Sequence, residues 1–133
     1  LRQIARELAG MQRRACVVDE RCEIFPPGDF EKMPPLDLLS GIPKERAVQM
    51  ALRTLSPQVI LLDELGTLEE HEERFKNAVM RILSGPYDVL ASVKAQNTDF
   101  LRDIRRHPDC ELYIITPENR NALYAQLRRE YNI

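Results

Sequence analysis

The sequence lacks several features that mark specialised classes of protein. None of its apolar runs approaches the ~20 residues of a membrane-spanning helix, and no signal-peptide pattern opens it. Lysine and arginine total 19 against 21 acidic residues, a net charge of −2, so no strongly basic nucleic-acid binder is expected. The sequence shows no internal repeat and no low-complexity tract. Its 133 residues therefore indicate one folded domain with one core.

Disulfide and zinc patterns are missing as well. The three cysteines, Cys16, Cys22 and Cys110, are odd in number and match no zinc-ligand spacing. Cys16 and Cys110 lie in apolar, strand-like runs, where we expect small buried residues. The two histidines, His71 and His107, are isolated in the sequence and are expected at the surface. Unpaired cysteines favour a reducing compartment, so the cytoplasm is the expected location.

What the sequence does contain is a regular alternation of apolar runs and amphipathic stretches. Apolar runs predict strands over residues 15–18, 59–62, 88–93 and 110–115. Helical spacing predicts helices over residues 1–11, 43–55, 67–84, 98–106 and 116–131. The proline-rich residues 25–43 form the one irregular region. This alternation implies parallel strands joined by right-handed crossovers, an α/β domain whose parallel sheet is covered by helices on both faces.

Capping signals predict where two of these helices begin. Thr67 and Glu70 form a capping-box pattern, which places Leu68 on the inward face of the third helix. Thr116 and Pro117 are expected as the N-cap and first residue of the last helix. Four residues of that helix are predicted to face the core: Ala122, Leu123, Leu127 and Tyr131.

The stretch QVILLDELG, residues 58–66, carries the strongest functional signal. Its four consecutive apolar residues fit a strand that is covered on both faces, and Asp63 and Glu64 should emerge at its carboxyl end. Open α/β sheets bind their ligands at that edge. One carboxylate can order a Mg²⁺ there, while the other takes a proton from a water. The structural alternative is that the two acids face solvent or cap the next helix.

Together with other stretches this motif resembles a known family. LRQIARELAG, VVDERCEI and LDLLSGIPKERAVQMALRTLSPQVILLDELG are similar to the ATPase region of stage III sporulation protein AA, whose relatives are the VirB11-type secretion ATPases. LLDELGTLEEHEERFKNAVMRILSGPYDVLASV through ITPENRNAL resembles the small nucleoside-triphosphatases of thermophiles. Both groups are P-loop proteins. The resemblance implies a RecA-like parallel sheet and Mg²⁺-dependent hydrolysis of a nucleoside triphosphate, with ATP as the expected substrate.

The amino end departs from that family pattern. In the family, the helix that begins LRQIARE follows the GxxxxGK[S/T] loop called Walker A, a pattern that occurs nowhere in this sequence. We therefore expect residues 1–133 to be a partial P-loop domain that lacks the first strand and the Walker A loop. The alternatives are that the neighbouring strands close up differently or that another chain fills the gap.

The resemblance also implies roles for the acidic residues. Asp63 would bind Mg²⁺, and Glu64 would orient and deprotonate the attacking water. Asp19 and Glu20 match the acidic segment that faces the nucleotide in secretion ATPases, so Asp19 is predicted to contact the nucleotide. Glu20 competes with Glu64 for the role of general base. A solvated turn explains the segment around Asp19 and Glu20 equally well.

Basic and polar residues supply further candidates. Lys44, Arg46 and Arg53 lie on or beside the helix before the central strand. Arg53 is the best candidate for an arginine finger that reaches the γ-phosphate of its own subunit or of a neighbouring one. A solvated helix face is the alternative for each. Lys94 and Gln96 occupy the sensor position after a strand, where a side chain contacts the γ-phosphate or the water. An ordinary loop would explain them too.

Partners and rival functions follow from the same resemblance. It implies nucleotide binding, self-association in a ring, and secretion or membrane-associated partners at a cytoplasmic location, with a link to sporulation. A rival interpretation is a non-catalytic scaffold that binds partners through the proline-rich segment or an outer helix. A second rival is a doubly wound domain of receiver or flavodoxin type, in which paired acids also bind Mg²⁺.

Overall fold

A computed structural model describes the backbone of residues 1–133 and all side chains except those of residues 30–32. The helices are α1 (Arg2–Gly10), α2 (Lys44–Met50, continued by a π-helical turn, Ala51–Leu55), α3 (Glu73–Leu83), α4 (Asp99–Arg105) and α5 (Arg120–Glu130). The strands are β1 (Ala15–Asp19), β2 (Asp37–Ser40), β3 (Val59–Leu65) and β4 (Asp88–Val93), and a short 3-10 helix spans Pro27–Lys32.

The four strands form one parallel sheet in the order β2-β1-β3-β4. The predicted α/β architecture is thus confirmed. The order alone also occurs in flavodoxin-type sheets, so it does not separate the two doubly wound interpretations. The connection from β1 to β2 contains the 3-10 helix and no α-helix, whereas most parallel crossovers carry one.

Two apolar layers explain the unbroken hydrophobic run of β3. Ile60 and Leu62 pack with α2, α3 and α4 on one face of the sheet. Val59 and Leu61 pack with α1 and α5 on the other. Because successive side chains of a strand point to opposite faces, a sheet covered twice needs apolar residues at every position.

Strand β2 was not predicted. It lies within the proline-rich region and pairs with β1 through Cys16 opposite Asp37 and Val18 opposite Leu39. Its four residues are exposed or half-buried because it forms the edge of the sheet. A strand this short, open on one side, leaves only a weak pattern of apolar residues in the sequence.

The predicted strand over residues 110–115 is wrong. These residues adopt no regular structure and join no strand of the sheet in the part of the chain that the structure describes. Ile114 and Ile115 are 77% and 65% exposed, so the run is apolar without being covered. Helix α5 begins at Arg120, and Ala122 and Tyr131 of the predicted core set are exposed.

The predicted start of α3 at Thr67 is also wrong. The helix begins at Glu73 after a turn, and Leu68 is 89% exposed. The capping box does not form, because Glu69 rather than Glu70 bonds a backbone N–H at this point, that of Gly66 at 3.1 Å. Across the described residues, no helix is long and apolar enough to cross a membrane.

Candidate functional site

The carboxyl ends of three neighbouring strands bring the predicted polar residues to one edge of the sheet. Val18 of β1 lies opposite Leu62 of β3, so Asp19 and Asp63, the next residues of the two strands, are neighbours in the sheet. On the other side, Lys94 continues β4 and its N–H donates to the carbonyl of Leu65 at 2.9 Å. This edge therefore combines carboxylates with a lysine, as the parallel topology predicts.

A β-bulge interrupts the pairing of β3 with β4 at the two acidic residues of β3. Leu62 pairs with Ala91 and Leu65 with Val93, so Asp63 and Glu64 together face a single residue of β4. Bulges of this kind redirect side chains and are over-represented beside active sites. The strand thus continues through the acids to Leu65, rather than ending before them.

Asp63 is a buried carboxylate with an unused oxygen. It is 7% exposed, and its Oδ2 has no hydrogen-bond partner among the described side and main chains.

Glu64 lies half-buried between two cations. Its Oε1 is 3.0 Å from Nζ of Lys94 and 3.3 Å from a guanidinium nitrogen of Arg21. The hydrogen bond from Lys94 lowers the pKa of Glu64 against the opposing effect of desolvation, and the charges of Arg21 and Lys44 lower it further. Both ion pairs use Oε1. Within the described part of the chain, Oε2 has no cationic partner.

Asp19 uses both of its carboxylate oxygens to bind the backbone of its own loop. The carboxylate is fully buried and accepts three backbone N–H groups, from Glu23 at 2.8 Å, Ile24 at 3.0 Å and Phe25 at 2.9 Å. These bonds hold the loop that leaves β1. They favour a structural role for Asp19, and its contact with a nucleotide stays a prediction.

Glu20 contacts the start of α2. Its Oε2 accepts a long hydrogen bond, 3.4 Å, from the backbone N–H of Lys44. An acidic side chain at a helix amino end is favourable and explains this position without catalysis. Its role as a general base stays a prediction.

The predicted sensor segment after β4 is held by Arg105, a residue that no sequence pattern indicates. Arg105 of α4 donates to the carbonyl of Lys94 at 2.5 Å and also to the carbonyl of Gln96. The Lys94 side chain contacts Glu64, whereas Gln96 is exposed. No local pattern marks Arg105, because its partners are backbone atoms 9 and 11 residues away.

Arg53 lies at the opposite edge of the sheet, which corrects its predicted position. It lines a cavity of about 270 Å³ together with Gly85, Pro86 and Tyr87, which precede β4. A second cavity of about 420 Å³ lies at the same amino edge. Helix α2 runs antiparallel to β3, so its last turn is far from the strand's carboxyl end. Arg53 therefore does not reach the site of Asp63 in the same subunit.

The acids fit a magnesium ion that is shared with a ligand. The side chains that the structure describes form no cluster of three or more His, Cys, Asp or Glu residues. A cage built wholly from protein is thus absent from that part of the chain. Mg²⁺ needs no such cage, since one or two carboxylates commonly bind it with phosphates and waters. The unused, buried Oδ2 of Asp63 matches this mode.

Comparison with known proteins decides between the two doubly wound interpretations. A family model described as NTPase matches residues 42–128, well over half of the chain. The chain belongs to this NTPase family. The match includes Asp63, Glu64, Lys94 and Gln96, and it excludes the receiver and flavodoxin alternative. No solved structure matches the chain.

Curated relatives of the chain include nucleoside-triphosphatases and a sporulation protein. The nucleoside-triphosphatase THEP1 of Thermofilum pendens is 37% identical over 82 residues, 59% of this chain and 45% of that protein. THEP1 of Pyrococcus abyssi is 32% identical over 84 residues, 63% of this chain and 43% of its own length. The stage III sporulation protein AA of Bacillus subtilis is 28% identical over 98 residues, 69% of this chain and 29% of that protein. The chain thus spans less than half the length of these relatives.

Proposed function

We propose that this chain supplies the metal-binding and water-positioning part of a P-loop nucleoside-triphosphatase, with ATP as the expected substrate. The observation that carries the proposal is Asp63, a buried carboxylate with an unused oxygen at the carboxyl edge of the sheet. It lies inside the region matched to the NTPase family, whose curated relatives are named for nucleoside triphosphate hydrolysis.

Asp63 would hold a Mg²⁺, directly or through a water. A bound Mg²⁺ neutralises charge that develops on the phosphates. Burial makes the Asp63 carboxylate a suitable ligand because little water competes for its free oxygen. The match to the NTPase family does not by itself indicate a metal ion. The proposal of Mg²⁺ also rests on the resemblance of the sequence to P-loop ATPases.

Glu64 would orient the attacking water. Its lowered pKa keeps the carboxylate ionised at neutral pH, so it accepts a hydrogen bond from water. Lys94 fixes Oε1 at 3.0 Å and provides a positive charge near the triphosphate.

Assembly in a ring, secretion or membrane-associated partners and a role in sporulation are finer proposals. They depend on the resemblance to stage III sporulation protein AA, which is the weaker of the two similarities. Size measurements with and without nucleotide test the ring, and a single-subunit mass under both conditions would contradict it.

The variants Asp63→Asn and Glu64→Gln test the proposed function in the full-length natural protein. Glu64→Gln should reduce kcat about 10²–10⁴-fold with little effect on nucleotide affinity. Asp63→Asn should weaken Mg²⁺-dependent binding of ATP and GTP, measured by calorimetry with and without Mg²⁺. Asp99→Asn is the matched control, because this carboxylate is 82% exposed at the start of α4. Unchanged turnover and binding in Asp63→Asn would refute the proposal.

A further inference from the structure

A buried ion pair lies directly behind the candidate site. Lys44, the first residue of α2, has a side chain that is 7% exposed, and its partner Glu69 is 14% exposed. The Nζ of Lys44 is 3.1 Å from Oε1 of Glu69, and it also donates to the backbone carbonyl of Glu64. One buried ammonium group thus joins α2, the end of β3 and the turn that follows it.

Glu69 extends this connection to the next peptide. Its second oxygen, Oε2, accepts the N–H of Gly66 at 3.1 Å. The backbone is therefore held at Glu64 by Lys44 and at Gly66 by Glu69. The side chain of Lys94 passes over Gly66, since a Cβ there would lie 3.3 Å from its Cδ. Lys94 in turn holds the Glu64 carboxylate.

The sheet cannot fix this segment by itself. The bulge at Asp63 and Glu64 interrupts the regular register between β3 and β4, and an interrupted ladder leaves backbone groups without strand partners. The contact from Lys44 to the Glu64 carbonyl replaces such a partner. Lys44 therefore bonds the backbone of β3 at the bulge, where the pairing with β4 is irregular.

A buried ion pair is a poor means of stabilising a fold. The desolvation of two charges often exceeds their attraction, and apolar replacements of such pairs are often neutral or stabilising. Placement of the Glu64 peptide explains the pair better than stability does. We propose that Lys44 and Glu69 are positioning residues that hold Glu64 in the orientation needed for water attack. This inference rests on the proposed function, because it assumes that Glu64 aligns the water.

Three variants of the full-length protein separate positioning from stability: Lys44→Met, Glu69→Gln and the double variant with both changes. Each single change leaves one buried charge without its partner, so both should lower the unfolding temperature. The double variant carries no charge at either position, and the amide oxygen introduced by Glu69→Gln can still accept the Gly66 N–H. Its unfolding temperature should recover toward that of the natural protein.

Turnover should not recover in the double variant. With the Lys44 contact gone, kcat is expected to stay about tenfold to hundredfold low, as misplacement of a catalytic group by about 1 Å predicts. KM should change less than about twofold, because the pair binds no substrate. Lys76→Met is the control, as Lys76 pairs with Glu73 on the exposed start of α3. If kcat recovers together with the unfolding temperature, the pair is only structural and the proposal is overturned.

A second readout does not depend on activity. The ¹³C shift of the Glu64 carbonyl, measured by NMR, should change in the double variant and not in Lys76→Met. An unchanged Glu64 carbonyl shift would overturn the positioning proposal even if turnover fell. If the natural protein hydrolyses no nucleotide, the proposed function fails, and the carbonyl shift still decides whether Lys44 holds the Glu64 peptide.

Discussion

Replacing Asp19 by asparagine tests whether this acid is structural, and the expected cost follows from its hydrogen bonds. The carboxylate accepts three backbone N–H groups, one at Oδ1 from Glu23 and two at Oδ2 from Ile24 and Phe25. In Asp19→Asn the remaining oxygen can replace Oδ2. The new NH₂ group then faces the N–H of Glu23, so two donors oppose each other in a buried site.

The magnitude combines two terms. Leaving the Glu23 N–H without an acceptor costs about 1–3 kcal/mol. The two hydrogen bonds that persist, from Ile24 and Phe25, no longer have a charged acceptor. Each is therefore weakened by about 0.5–1 kcal/mol. Asp19→Asn should therefore lower the free energy of unfolding by about 3 kcal/mol and the unfolding temperature by about 10 °C for a domain of this size.

Urea unfolding followed by circular dichroism measures this change, with Asp37→Asn as the control on exposed strand β2. Nucleotide binding by the folded Asp19→Asn protein should match that of the natural protein. A stability within about 0.5 kcal/mol of the natural protein, combined with lost nucleotide binding, would refute the structural role and restore the nucleotide contact.

Two further predictions concern other parts of the fold. Burial raises the pKa of the Cys16 thiol to about 12. Iodoacetamide at pH 8 should therefore leave Cys16 unmodified until denaturant is added, as measured by peptide mass mapping. Rapid labelling of Cys16 in the native protein would contradict its burial. Hydrogen bonds from Tyr124 and Gln3 lower the pKa of Glu7 below its ordinary value of 4.5. The resulting stability is present above pH 4.5 and is lost as pH falls through the lowered pKa. Tyr124→Phe should therefore flatten the acid limb of a stability–pH curve, and an unchanged limb would contradict the coupling.

The sheet was predictable where both faces of a strand are covered. The runs at Val17 and Leu61 are apolar at every position because helices pack on both sides, and few structures other than a buried strand tolerate such a run. Edge strand β2 lacks this constraint and escaped prediction. The run containing Ile114 has the same composition as a buried strand but pairs with no strand in the described part of the chain, and composition alone does not encode pairing.

The candidate site was predictable only in part, for a related reason. Asp63 and Glu64 follow a readable apolar run. Lys44 contacts Glu64 and Glu69, which lie 20 and 25 residues away in the sequence. Two of the groups involved, the Glu64 carbonyl and the Gly66 N–H, belong to the backbone, where the residue type leaves no signal. Near the predicted helix start at Thr67, Glu69 bonds the N–H of Gly66 and the ammonium group of Lys44, which is 25 residues away in the sequence. A local capping pattern contains no signal of that tertiary contact.

Asp19 and Asp63 have similar places in the sequence but different hydrogen-bond environments. Each comes at the end of a buried apolar run, yet Asp19 meets three N–H groups of its own loop, while Oδ2 of Asp63 meets none in the described part of the chain. A buried carboxylate without partners costs stability, so Asp63→Asn should keep or raise stability, by up to about 2 kcal/mol, while it loses Mg²⁺-dependent binding. Asp19→Asn should instead lower stability and keep Mg²⁺-dependent binding. If both variants lost stability and kept binding, the bulged end of β3 would be a structural feature and the assignment of Asp63 to the metal would fall.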